Sequence, residues 1–178
     1  MSITLHPDGR IIDSNGINLA PKTVVDKWRL TGELVGNQTP VSSNLEREDT
    51  TGHGVPLGDS TGMTHSSGTW TFPSTGIWRV EANYSVHCSG STSDWCDMDI
   101  LYTVNNSSYE IGGRSVVSID QNGGYAQPTP TAIVDVTDTS QVKVQFRVQY
   151  ANTLSLIHIS EPTRLLSIAY AVVCVKKK

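Results

Sequence analysis

The chain has 178 residues, enough for one domain with a sizeable core. A net charge of −4 and a charged fraction of 17% leave no strong field for nucleic acid or an anionic membrane surface. No apolar run approaches the ~20 residues that cross a bilayer. The opening MSITLHPDGR also lacks a basic segment followed by an apolar stretch, so neither membrane insertion nor a secretory signal is expected.

Residues 1–23 hold a short strand-like ITL and the turn residues HPDG and DSNG, and read as an N-terminal arm or attachment segment. Val24–Val35 predicts a first strand anchored by Trp28 and Leu30. Residues 36–68 are rich in Gly, Ser, Thr and Asp and predict a long surface loop with one or two short strands. From Trp78 to Cys88 the residues Trp78, Val80, Ala82, Tyr84, Val86 and Cys88 alternate with Arg79, Glu81, Asn83, Ser85 and His87. That period of two marks a strand with one face in the core. Cys96, Met98, Ile100, Tyr102 and Val104 repeat the pattern after the turn-like SGSTSD, so the two segments are expected to pair as an antiparallel hairpin.

Tyr109–Asp120 forms a third segment whose Gly112-Gly113 predicts a bulge or bend. Thr131–Val136 is a further strand, closed by a turn at Thr137–Ser140. The last alternating run points Val142, Val144, Phe146, Val148 and Tyr150 inward and Lys143, Gln145, Arg147 and Gln149 outward. No segment shows apolar residues at helical spacing, so the fold class is all-β, a sandwich of two antiparallel sheets of jelly-roll type. The domain is expected to span residues 24–153.

Three cysteines are too few for a disulfide framework. In the expected hairpin Cys88 stands opposite Cys96 with both apolar rows on one face, a register that permits a cross-strand disulfide without requiring it. Two reduced, buried side chains are the alternative.

Residues 154–164 read LSLIHISEPTR, which resembles the forward translation of a transposase-type sequencing-library adapter. The following LLSIAYAVVCVKKK resembles an index and flow-cell primer read in frame into poly-A. The resemblance implies that residues 154–178 are an adapter-derived artefact and that the native last strand is missing. A genuine last strand SIAYAVVCV with a basic tail is the alternative.

The run GTWTFPSTGIWRVEANYSV, with Phe72, Pro73, Gly76 and Trp78 at the matching positions, resembles the complement-1q/tumour-necrosis-factor jelly-roll superfamily. DVTDTSQVKVQFRV is similar to that family's last but one strand and the turn before it. More closely, WRLTGELVGNQTPVSSNLERED, GMTHSSGTWTFPSTGIW and NNSSY resemble proteins encoded by marine phages. The resemblance implies a bell-shaped homotrimer. It also implies a virion protein made in the host cytoplasm, placed as a tail-fibre or receptor-binding tip among other virion proteins and contacting a host surface glycan or protein. A capsid or neck decoration protein without a receptor role is the alternative, and a glycan-active enzyme is a third reading that no motif favours.

Candidate site residues follow from the loops. Trp95 and Tyr125, with Asp94, sit among small polar residues, where aromatics suit recognition of a receptor. Both rings folding back onto the core is the competing reading. Asp94, Asp97 and Asp99 cluster near one sheet edge and could hold Ca²⁺, as some members of the superfamily do; an exposed acidic strand face is the simpler account. No other cofactor is expected. His53, His65 and His87 lack zinc spacing, and no nucleophile motif or phosphate-binding glycine loop occurs, so no enzyme activity is expected.

Overall fold

The computed structural model describes residues 3–5, 11–13, 24–47, 62–88, 93–120, 123–151 and 175–177. Every regular element among them is a strand. In chain order these are β1 (Ile3–Leu5), β2 (Ile11–Asp13), β3 (Trp28–Leu30), β4 (Leu45–Arg47), β5 (Thr64–Ser66), β6 (Thr69–Thr71) and β7 (Gly76–Glu81). They continue with β8 (Val86–His87), β9 (Ser93–Thr103), β10 (Glu110–Ile119), β11 (Tyr125–Ala126), β12 (Thr131–Val136), β13 (Lys143–Tyr150) and β14 (Val175–Lys177).

Two layers face each other. One is the antiparallel sheet β10-β9-β13-β6-β5. The other contains β12-β7-β14, prolonged at one end by the β11–β8 pair. Between β7 and β8 the opposite strand runs through Pro128 and Pro130. Their carbonyls accept from Tyr84 N (3.2 Å) and Ala82 N (3.1 Å), so the two pairs form one ladder interrupted by residues that cannot donate. β1 pairs with β2, and β3 with β4.

The core lies between the layers and is built by alternation. Trp78, Val80, Ala82, Tyr84, Val86 and Cys88 are all buried from one layer, and Val142, Val144, Phe146, Val148 and Tyr150 from the other. The Pro73–Gly76 turn is held from inside: Trp78 packs on Phe72 (centroids 5.4 Å) and donates its Nε1–H to the Ser74 carbonyl at 3.0 Å. Gly76, at φ 131°, adopts a conformation that side chains disfavour. The bulge expected at Gly112-Gly113 is present as a register shift in the β9–β10 pairing. Close approach excludes a side chain at this point: a Cβ on Gly113 would lie 2.4 Å from the Thr131 carbonyl oxygen, where β10 passes the start of β12.

Two expectations are corrected. The segments Trp78–Cys88 and Cys96–Val104 do not form a hairpin; they belong to opposite layers, β7 pairing with β12 and β14 while β9 pairs with β10 and β13. A period of two states which face is buried and says nothing about which strand lies alongside. The inward row of β9 also stops early. Val104 is exposed and Thr103 buried, because the strand turns there on Asn105, whose Oδ1 accepts from Ser107 N (3.0 Å) and Ser108 N (2.9 Å).

The first expected strand is short, and a buried carboxylate anchors it. Asp26 accepts from Trp28 Nε1 (3.1 Å), Met63 N (2.7 Å) and Arg47 Nε (2.9 Å), tying β3, β4 and the approach to β5 together. The arm expected over residues 1–23 is described only at β1 and β2. Of residues 154–178 only the backbone of β14 is described, lying antiparallel to β7, so the adapter reading falls almost wholly outside the described residues.

Candidate recognition surfaces

The layer containing β7 buries one row and presents the other, whereas on β9 of the opposite layer Asp99, Leu101 and Thr103 of the outward row are buried as well. On the layer containing β7, the outward positions are Ile77, Arg79, Glu81, Asn83, Ser85 and His87, opposed by Asp135, Ile133, Thr131, Thr129, Gln127 and Tyr125. Ile133 is 68% exposed and Ile77 39%, and the register makes them diagonal neighbours on one face. Ile111, also exposed, stands two residues before Gly113, where β10 crosses Thr131. Arg79 pairs with Glu81.

At the far end of the same face Tyr125, 69% exposed, stands in register with His87, and the rings stack at 4.3 Å and 24°. The backbone beneath is fixed: Cys88 N donates to Gly124 O (3.0 Å) and Gly123 N to Cys88 O (2.7 Å). His87 Nδ1 is enclosed with no hydrogen-bond partner among the described residues.

The outward face of β10-β9-β13 is different. Arg114, Asp99 and Arg147 stand directly opposite one another on the three strands. Asp99 is fully enclosed, its Oδ1 receiving Arg114 Nε at 2.7 Å and its Oδ2 receiving Arg147 Nη2 at 2.6 Å. Burial pushes its carboxyl up, but the hydrogen bonds and charges of the two guanidinium groups outweigh that and hold it below the ordinary value. Asp97 lies 3.5 Å from Arg114. Two residues before Asp97, Trp95 is 39% exposed on this face, and Val116, opposite Asp97, is 54% exposed.

The sequence-derived candidates therefore separate. Trp95 and Tyr125 point outward from opposite layers and do not form one site. The Asp94 side chain lies outside the described residues. Asp99 is committed to two arginines, so the acidic cluster is mainly an ion-pair row, and no group of three or more His, Cys, Asp or Glu among the described residues is placed to hold a metal. Cys88 and Cys96 are free, buried thiols on opposite layers, not a disulfide. Burial first, then the neighbouring Cys88 and Asp97, push the Cys96 thiol up to about 12.

Two features escaped the sequence. The Ile133 patch was visible in principle, since Ala132, Val134 and Val136 claim the inward row of TAIVDV and leave an isoleucine outside. The support of Tyr125 by His87 depends on strand pairing and has no sequence signal.

No protein-family model and no curated protein matches the chain. Solved structures do. Murine APRIL at pH 5.0 is 12% identical with a TM-score of 0.57, over 88% of this chain and 99% of that one. Eiger TNF from S. frugiperda is 14% identical with a TM-score of 0.51, over 82% of this chain and 99% of that one. The fold is the tumour-necrosis-factor-like jelly roll. At these identities the likeness concerns the fold alone. Among the described residues no helix is long and apolar enough to cross a membrane.

Proposed function

We propose that this chain is a non-enzymatic jelly-roll module that assembles as a homotrimer and serves as the head of a phage appendage, presenting its outer surfaces to a host. The observation that carries the assembly is the exposed pair Ile77–Ile133 on a sheet face of a tumour-necrosis-factor-like fold. Large exposed apolar side chains side by side on a rigid sheet favour coverage by a partner, and a second copy is the partner that fold suggests. The opposite face, with Trp95 and Val116, is then free to meet a host glycan or protein, and three copies would add avidity.

The phage assignment is supported by the resemblance of WRLTGELVGNQTPVSSNLERED and GMTHSSGTWTFPSTGIW to phage proteins. The adapter reading of residues 154–178 is supported by LSLIHISEPTR; sequencing the gene from source DNA tests it, and a frame that reads through that run unchanged overturns it.

The test of function is mass in solution followed by host binding. A trimer by light scattering, reduced to a folded monomer by Ile133→Asp, supports the assembly; a monomeric wild type overturns it. Binding to host cells that Trp95→Ala abolishes while the trimer persists supports the receptor role. Virions that keep the protein and adsorb normally with Trp95→Ala favour decoration instead.

A further inference from the structure

We infer that the outward face around Trp95 binds one neutral hexose unit of a glycan, with the indole as stacking platform and Asp97, Gln149 and Arg114 as the polar groups that orient the sugar. The inference rests on the host-contact reading above and names the class of ligand.

The platform is made by a bulge and by small neighbours. Val117 pairs with Cys96 and Ile119 with Ser93, so Ser118 alone on β10 faces both Asp94 and Trp95 on β9. A bulge of this kind bends its strand and re-aims the side chains beside it. The backbone of Trp95 stays laced to β13, its carbonyl accepting from Ala151 N at 3.2 Å. The cross-strand neighbours of the indole are therefore Ser118 and Ala151, both too short to cover it, and Trp95 is 39% exposed. An aromatic ring fixed in this way presents its negative face, and the C–H face of a sugar brings partly positive hydrogens to it. Val116, also exposed, widens the apolar ground beside the ring.

The next two rows supply the hydrogen bonds. Val116, Asp97 and Gln149 stand opposite one another on the three strands, and Arg114, Asp99 and Arg147 form the row beyond. Neighbouring strands lie about 4.8 Å apart and alternate residues about 7 Å along them, so Gln149 is diagonal to Trp95 within the span of one sugar ring and its hydroxyls. Among the described residues the Gln149 amide makes no hydrogen bond. Asp97 meets Arg114 at 3.5 Å, longer than a good hydrogen bond. The amide can thus donate to one hydroxyl and accept from another, and the carboxylate can accept from a third. Charge selects among glycans. Arg114 and Arg147 are matched by Asp97 and Asp99, and Asp120, which accepts the Ser118 hydroxyl, adds negative charge at the Trp95 end. An anionic sugar gains no net attraction there, whereas a neutral one meets both donors and acceptors. A sheet face touches a sugar from one side only, so useful strength comes from several copies on a multivalent surface.

The experiment applies the full-length protein to an array of neutral, sialylated and sulfated glycans, then titrates the best-bound neutral glycan while tryptophan emission is followed. Trp28, Trp70 and Trp78 are buried, so a ligand-dependent shift of emission reports on Trp95. The wild type should bind hexose-terminated neutral glycans and show that shift. Trp95→Ala should bind none of them, Trp95→Phe should keep part of the binding, and Gln149→Ala should raise the dissociation constant about fivefold for one lost hydrogen bond. Far-UV circular dichroism checks that each variant keeps the fold. Binding to no neutral glycan, binding to anionic glycans alone, or binding unchanged in Trp95→Ala overturns the inference. Host cells treated with periodate, which cleaves sugar diols, or with protease separate the two readings. Cell binding that survives periodate and not protease identifies a protein receptor, which overturns the inference and leaves host contact standing. Array binding that Trp95→Ala abolishes, without any binding to host cells, supports the sugar site and overturns host contact.

Discussion

Asp99 and Arg147 face each other directly across β9 and β13, with Arg147 Nη2 2.6 Å from Asp99 Oδ2. Arg114 completes the row from the other side. Removing the carboxylate leaves two guanidinium groups crowded on one sheet face. Asp99→Ala is expected to destabilise the fold by about 3 kcal/mol, measured by urea unfolding. Because the folded carboxyl is held below its ordinary value of 3.8, this stabilisation is complete above that pH and is lost as pH falls through the folded value. Acid unfolding below about pH 4 should therefore be shallower in Asp99→Ala.

A second acid response sits at a higher pH. His65 Nε2 accepts from Gly68 N at 3.0 Å, and its ring packs on Trp70 (4.3 Å) and Trp28 (5.5 Å), with the Arg47 guanidinium 4.9 Å from the centre of the Trp28 ring. Burial lowers its pKa from 6.5. The unfolded chain thus binds the proton more readily, and stability should fall as pH drops below 6.5 toward the folded value. His65→Phe should flatten the melting temperature across that window. Its cost at pH 7.5 is about 1 kcal/mol for the lost hydrogen bond.

Gly113 is a matter of space. A Cβ there would meet the Thr131 carbonyl oxygen at 2.4 Å and its carbon at 2.8 Å, both backbone atoms that cannot swing aside. Gly113→Ala is expected to cost about 2 kcal/mol by forcing β10 off β12, whereas Gly123→Ala meets no atom within 4 Å and tests backbone strain alone. Thermal unfolding of the two variants separates the effects.

The thiols give a chemical readout. Burial pushes up both Cys88 and Cys96, the latter to about 12. In the native protein at pH 8, peptide mapping should find neither alkylated, and both should react after denaturation. A Cys88–Cys96 disulfide in the native map would contradict the structure.

Alternation made the core legible. Every residue assigned inward from Trp78 to Cys88 and from Val142 to Tyr150 is buried, because a strand with one solvated face has no other way to arrange them. Pairing was not legible, and the errors follow from that. Asp94, Asp97 and Asp99 read as an acidic cluster because the arginines that neutralise Asp99 lie far along the chain, Arg114 at 15 residues and Arg147 at 48. Trp95 and Tyr125 looked alike because small polar residues surround both. Only the assignment of β9 and β11 to opposite layers shows that they look away from each other.

Pro128 and Pro130 have a mechanical consequence. Each accepts one bond from the strand opposite and returns none, so the ladder between the β7–β12 body and the β8–β11 tip is stitched from one side only. Such a seam yields before the fully laced strands on either side of it. Amide hydrogen exchange is therefore expected to be faster at Ala82 and Tyr84, which donate to the prolines, than at Trp78 and Val80, which pair with β12.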